Sequence, residues 1–383
     1  MLRLPDWHDD LIRRMLGHAP GDESALRRID TTLARLSDYF TDLRPRASGT
    51  RSYFSDPSVR NAYFLYYTTA NLLKPLHVLD ELMLGCDPRH DTPLSVLDLG
   101  CGTATGLLAL TVWRDRALRS HGVVPPGFRY TGADRDGDAL AFTRRTAGVL
   151  SELGAPLPAS IDTVQGDLAR GLRVEGRHDI VLAMNLLNEM PADRHAQLLE
   201  GCAGVLAPGG SVVLIEPALR ETSRALLALR DQAVATGWTV YAPCFRQGEC
   251  PALADARDWC HHDLPWERPV WMERLDRALG AVKLSLKFSY LVLNRHGATL
   301  ADAYHEGNTY HRVVSEVFLE KGRTLLYLCG EEGRHLYQRN RRDVSYENAV
   351  LDDLSRYDVV AVENAVPRTY DVLITQDSTV IKV

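Results

Sequence analysis

The sequence predicts an α/β chain with a parallel, helix-covered sheet at its centre. Helices precede that sheet, a cysteine-rich insertion lies near its end, and a β-rich region follows. Three observations carry this reading. From Ser95 the chain alternates short apolar segments with helical patterns, and a glycine-rich loop follows the first of those segments. Cys244, Cys250 and Cys260 then fall close together among Pro243, Gly248 and Pro251. The boundaries read as 1–92 for the helical region, 93–295 for the sheet domain with its insertion at about 240–270, and 296–383 for the β-rich region.

Each part has its own signal. Between Asp22 and Leu43, apolar Leu26, Ile29, Leu33, Leu36 and Phe40 recur every three to four residues, which makes one helix face. A second helix is expected from Asp56 as N-cap with Pro57 at its first position. It carries Tyr63, Phe64, Tyr66 and Tyr67 until Pro75 kinks or ends it. That aromatic band reads as core rather than as a base-stacking platform. Ser95–Leu99, Arg129–Ala133, Ile161–Gln165, Ile180–Met184 and Ser211–Ile215 read as strands. Helical patterns between most of them imply a parallel sheet covered on both faces. Lys287–Asn294 is a later strand, and Thr324–Cys329, Asp358–Glu363 and Tyr370–Thr375 cluster β-formers between turns.

Composition narrows the function. At 383 residues, 45% hydrophobic and 25% charged, the chain has core enough for two or three domains. No run approaches the roughly 18 apolar residues of a membrane span. The opening residues lack the apolar stretch of a secretory signal, so a cytoplasmic setting is expected. There, cysteines read as free, metal-bound or catalytic rather than as disulfides. A net charge of −6 argues against coating nucleic acid by charge alone. A local basic face would fall on Arg334, Arg339, Arg341 and Arg342 together with Arg44, Arg46 and Arg51.

The loop Val96-Leu-Asp98-Leu-Gly100-Cys101-Gly102-Thr103-Ala-Thr-Gly106 follows a strand and opens a helix. Its glycines let backbone approach a ligand, and the helix N-terminus offers unsatisfied N–H groups. The spacing Gly-x-Gly-x-x-x-Gly is not the dinucleotide fingerprint. Asp98 would repel a pyrophosphate, whereas it can meet the cationic end of S-adenosylmethionine. Asp134, beside Arg135, ends the second strand and is placed for ribose hydroxyls. Asp167, beside Leu168, is placed for the adenine amino group. The alternative for any one aspartate alone is a helix cap. The stretch resembles class I methyltransferases, which implies their Rossmann-like fold and their cofactor. The fourth strand ends at Asn185, with Asn188 and Glu189 just after it. These residues either position a substrate, with Glu189 as base, or cap and scaffold the turn.

The cysteine spacing is Cys-x₅-Cys-x₉-Cys, without the short knuckle of a zinc ribbon. Three thiolates with a distant fourth ligand suit a four-iron, four-sulfur cluster, and Cys329, His261 and His262 are the candidates for that fourth ligand. Cys86, Cys101 and Cys202 read as packing residues. Together with Leu186–Met190, Trp259-Cys260-His261, Lys287–Leu293 and Leu328-Cys329-Gly330, the chain resembles the mitochondrial small-ribosomal-subunit methyltransferase-like assembly factors and their bacterial relatives over about residues 60–345. The resemblance implies a [4Fe-4S] cluster on Cys244, Cys250, Cys260 and Cys329, and association with the small ribosomal subunit. Two departures stand out: Phe245-Arg246 where the family usually has Pro-His, and about seventy C-terminal residues beyond the resemblance.

The sequence therefore reads as an S-adenosylmethionine-dependent methyltransferase, or a methyltransferase-like protein, acting on rRNA or the small subunit. One alternative is a small-molecule or peptide methyltransferase of a biosynthetic pathway. The other is a non-catalytic assembly factor.

Overall fold

The computed structural model describes residues 1–42, 53–84, 92–120, 125–168, 171, 174–281, 283–304 and 308–383. Arg44, Arg46, Arg51 and Cys86 lie outside the described residues.

The N-terminal region is helical: α1 (His8–Leu16), α2 (Glu23–Asp42), α3 (Pro57–Tyr63), a short α4 (Thr69–Asn71) and α5 (Lys74–Leu84). The stripe on α2 is the cause of its packing, since Leu26, Leu33 and Leu36 are buried. Asp56 caps α3 by accepting from the Ser58 N–H, with Pro57 in the first turn. Pro75 does not end this run. The chain leaves helix after Asn71, and Pro75 stands in the first turn of α5, where its missing N–H costs nothing. The aromatic band is core: Phe64 and Tyr66 are buried, and Phe40 meets Tyr67 edge-on at 5.3 Å.

The sheet begins with β1 (Leu94–Leu99), α6 (Thr105–Ser120), β2 (Phe128–Asp134), α7 (Gly137–Glu152), β3 (Ser160–Gln165), β4 (His178–Met184), α8 (His195–Val205) and β5 (Leu206–Pro217). These five strands are all parallel in the order β3-β2-β1-β4-β5. The chain runs out to one edge, returns to the centre and goes on to the other side. The reversal therefore falls between β1 and β4, and the strand ends there open a crevice for a ligand. Val96, Leu97 and Leu99 are fully buried because helices cover both faces of such a sheet.

The chain continues through α9 (Arg220–Ala235), β6 (Thr239–Ala242), β7 (His262–Pro265), α10 (Val270–Ala278) and β8 (Ser285–Asn294). The far end of β8 pairs antiparallel with β6, Val240 opposite Leu293. The C-terminal strands are β9 (Tyr310–Val313), β10 (Phe318–Glu320), β11 (Arg323–Gly330), β12 (Gly333–Asn340), β13 (Val359–Glu363), β14 (Val366–Pro367), β15 (Val372–Ile374) and β16 (Thr379–Lys382). They form a second sheet in the order β14-β15-β12-β11-β9-β13-β16, with β10 paired to β11. Val313, Leu326, Leu328, Leu351 and Val360 make its core.

Two compact units result. One comprises Met1–Asp80, Cys86–Pro217 and Leu264–Phe288; the other comprises Glu81–Gly85, Ala218–Asp263 and Ser289–Val383. Among the described residues no helix is long and apolar enough to cross a membrane.

Candidate functional sites

In the first unit the glycine loop closes the end of β1. Gly100 and Gly102 take φ of 69° and 50°, values that favour glycine. A Cβ at 100 would lie 3.0 Å from Leu186, and one at 102 would lie 3.2 Å from Phe54. The loop thus admits backbone and little else. Asp134 ties it down, one carboxylate oxygen accepting from Gly102 N–H at 3.0 Å and the other from Asp136 N–H at 2.9 Å. The cap of α7 is Asp136, which accepts from Asp138 and Ala139 N–H. Asp134 is therefore not that cap. Arg135 is exposed beside it, and Asp167 and Leu168 sit half-buried after β3.

Asp98 lies beneath the loop, 1% exposed, and accepts from the Tyr130 hydroxyl at 2.7 Å. Burial pushes its carboxyl up to about 7; the Tyr130 hydrogen bond opposes this and the Asp134 charge adds to it. Only glycine fits at 106, where a Cβ would come within 2.3 Å of an Asp98 carboxylate oxygen. Cys101 is buried against Thr143, and the buried Thr103 hydroxyl meets the Thr68 hydroxyl at 2.6 Å.

The turn after β4 is organised by a residue the sequence reading missed. Glu216, at the end of β5 and 1% exposed, accepts from Leu187 N–H at 2.8 Å, Asn188 N–H at 3.2 Å and the Asn188 side-chain amide at 2.9 Å. Burial still pushes it up to about 7 against those three donors. Asn185 stands at the strand end with φ 53°, and Glu189 is exposed. Lys283 places its ammonium over the Tyr66 and Tyr67 rings at 4.9 and 5.6 Å. Burial, and then the Lys283 charge, bring Lys74 down to about 7. The signal for Glu216 was a lone acid in an otherwise apolar strand.

In the second unit, Cys244, Cys250, Cys260 and Cys329 line one cavity of about 120 Å³. Burial raises the Cys250 thiol to about 12, and the neighbouring Cys244 and Cys260 sulfurs push the same way. Burial also raises Cys260 and Cys329, and Cys244 acts on both. His261 and His262 line the cavity too, so the three sequence candidates for a fourth ligand all reach it. Cys202 is buried and lies outside the cavity lining. Among the described residues no group of three His, Cys, Asp or Glu side chains is arranged to hold a single metal ion.

Helix α9 orders the cysteine segment through two arginines. Arg224 donates to the carbonyls of Ala252, Asp255 and Asp258 at 3.2, 2.7 and 2.7 Å. Arg230, buried, donates to the carbonyl of Gly248 at 2.6 Å and to that of Arg246. The segment carries Pro243, Gly248 and Pro251 and little regular structure, and those carbonyls are where its order comes from. Cys329 stands opposite Arg334 across the β11–β12 pair, and Arg334 ion-pairs with Asp258. Both residues of the Phe245-Arg246 departure make contacts. Phe245 stacks near Tyr310 and under the Arg312 guanidinium, and Arg246 donates to the carbonyls of Glu249 and Glu331.

The expected basic face is corrected at Arg339. Only 2% exposed, it ion-pairs with Asp352 and donates to the Asn348 carbonyl at 2.7 Å. It points inward because alternate residues of β12 face the unit's core. Arg341 and Arg342 remain exposed.

The strand order and the acid–glycine loop define a class I methyltransferase-like protein. The family model described as mitochondrial small ribosomal subunit Rsm22 matches residues 147–349, more than half of the chain, and the chain belongs to that family. Among solved structures it is similar to magnesium protoporphyrin IX methyltransferase (ChlM) from Synechocystis PCC 6803 with bound SAM, at 14% identity over 69% of this chain and 96% of that one, TM-score 0.34. The plantazolicin methyltransferase BpumL in complex with SAH matches at 14% identity over 68% and 100%, TM-score 0.38. An O-methyltransferase family protein from Burkholderia thailandensis matches at 14% over 69% and 71%, TM-score 0.37. No curated protein matches the chain.

Proposed function

We propose that the chain is an S-adenosylmethionine-binding, methyltransferase-like protein of the small ribosomal subunit whose second unit holds a [4Fe-4S] cluster on Cys244, Cys250, Cys260 and Cys329. The observation that carries it is the convergence of these four thiols, from two distant stretches of sequence, on one cavity. Their number and softness fit an iron–sulfur centre, which would supply iron–thiolate bonds closing the loop between Cys260 and Cys329. Burial raises the Cys250, Cys260 and Cys329 thiols, so binding them as thiolates releases protons. A reducing compartment suits this, whether the cytoplasm or the mitochondrion of the family description.

In the first unit, Gly100, Cys101, Gly102 and Thr103 would seat the cofactor through backbone, with Asp98 beneath them. Asp134 and Arg135 would meet the ribose, and Asp167 and Leu168 the adenine. S-adenosylmethionine brings a sulfonium-activated methyl group; the protein's part is to hold an acceptor in line with it. Asn185, Asn188 and Glu189, in the turn after β4, would position that acceptor, with Glu189 as base. Binding without transfer is a specific second reading, favoured because Asn188 spends its amide on Glu216.

The test has two arms. Calorimetry should show S-adenosylmethionine binding that weakens about 10- to 150-fold in Asp134→Ala, as for a charged hydrogen bond of about 1.5–3 kcal/mol. Anaerobic protein should carry iron and sulfide, reduced by Ser at any of the four cysteines and unchanged in Cys202→Ser. Labelled methyl transfer to small-subunit rRNA separates catalysis from binding. Labelling only of small molecules or peptides would give the site to a biosynthetic pathway instead. Stoichiometric zinc without sulfide would overturn the cluster.

A further inference from the structure

Arg312, on β9, is 3% exposed and lines the cysteine cavity. Its Nη1 donates to a Glu81 carboxylate oxygen at 2.6 Å and to the Tyr357 carbonyl at 3.1 Å, and its Nε donates to the Pro243 carbonyl at 3.1 Å. The other Glu81 oxygen accepts from the Tyr290 hydroxyl at 2.6 Å, so the carboxylate is itself fixed. Nη2 is buried with no acceptor. A buried guanidinium N–H without a partner is costly, and an acceptor that arrives with a ligand would satisfy it. In the same wall the buried Tyr357 hydroxyl lies 3.5 Å from Cys260 Sγ. Both donors thus belong to the lining that holds the four thiols.

We infer that Arg312, through Nη2, and Tyr357, through its hydroxyl, donate hydrogen bonds to the sulfur atoms of the bound iron–sulfur group and hold it at a more positive reduction potential. This rests on the cluster reading above. Hydrogen bonds to sulfur and nearby positive charge favour the reduced, more negative state, and both are among the levers that set such potentials. Glu81 and Tyr290 act one step back by aiming the guanidinium. Arg312 is a positioning and tuning residue on this account, distinct from the four ligands.

The experiment uses the full chain, reconstituted and handled anaerobically, with iron and sulfide assayed first. A parent protein without both refutes the cluster reading itself. With the parent loaded, midpoint potentials come from dithionite titration followed by absorption and electron paramagnetic resonance. Tyr357→Phe should keep its iron and show a lower midpoint. Arg312→Gln leaves Glu81 buried without its partner, so the double variant Glu81→Gln/Arg312→Gln is the fairer test. It should keep its iron and shift the reduction equilibrium at least tenfold, about 59 mV for one electron. Parental potentials in both variants refute the inference. Loss of iron from the double variant makes Arg312 a scaffold residue and refutes its tuning role.

Discussion

Glu216→Gln tests the electrostatics of the turn after β4. The carboxyl has an ordinary value of 4.5 and is pushed up to about 7 by burial. The folded chain therefore binds a proton here that the unfolded chain has already released between about pH 4.5 and 7. Stability must fall as pH rises through that window and level off above it. At about 1.36 kcal/mol per pH unit, the whole effect is about 3 kcal/mol. Glutamine is neutral at every pH and removes that slope. Near pH 5 it resembles the protonated acid and should cost about 1 kcal/mol, since its NH₂ cannot accept from the Leu187 or Asn188 N–H. By pH 8 the parent carries the full cost of a buried charge, so the variant should gain about 2–3 kcal/mol relative to it. For a unit of this size that is a relative rise in melting midpoint of about 5–10 °C. Differential scanning calorimetry of both proteins from pH 5 to 8 measures it. Asp98 titrates in the same window but is common to both proteins and cancels in the difference. A constant difference across the range would mean that Glu216 is ionised throughout, and the reasoning would fail.

Other consequences can be checked directly. Gly106→Ala drives a methyl group onto the Asp98 carboxylate, so it should lower the melting midpoint of the first unit and weaken S-adenosylmethionine binding together. Arg339→Ala should destabilise the C-terminal sheet by roughly 1–3 kcal/mol, because it takes the donor from the Asn348 carbonyl while leaving the half-exposed Asp352 to solvent, without changing the salt dependence of the proposed rRNA binding. Arg341→Ala and Arg342→Ala should each make that dependence shallower and leave stability alone, as filter binding over a salt series would show.

Each expected strand from Ser95 to Ile215 lies within β1 to β5; β1, β4 and β5 were legible because they are buried and read as apolar runs, whereas β3, at the edge and nowhere fully buried, was legible from its β-branched residues. Other elements were not. The β10 strand exposes Phe318, Leu319 and Glu320 alike, so it has no alternation to read. In the first unit the aspartates were visible as strand-end acids, but Glu216 works through backbone N–H groups that leave no trace in sequence. In the second, the cysteines declared themselves by spacing. The arginines around them did not: Arg224 and Arg230 lie on helix α9 and Arg312 lies on β9, directly opposite Cys329 across the β9–β11 pair, and in sequence all three resemble any other arginine in a chain rich in them. Arg339 shows the converse: basic residues close together in sequence suggest a surface, although strand alternation turns one of them inward.

Helix α9 has a consequence for how this region can change over generations. Arg224 and Arg230 grip the carbonyls of the cysteine segment, so part of its shape is inherited from a helix and not from the thiols. A lineage could lose one cysteine, then the others, and keep the loop's path intact. Descendants without any metal would still present the same contour to a partner.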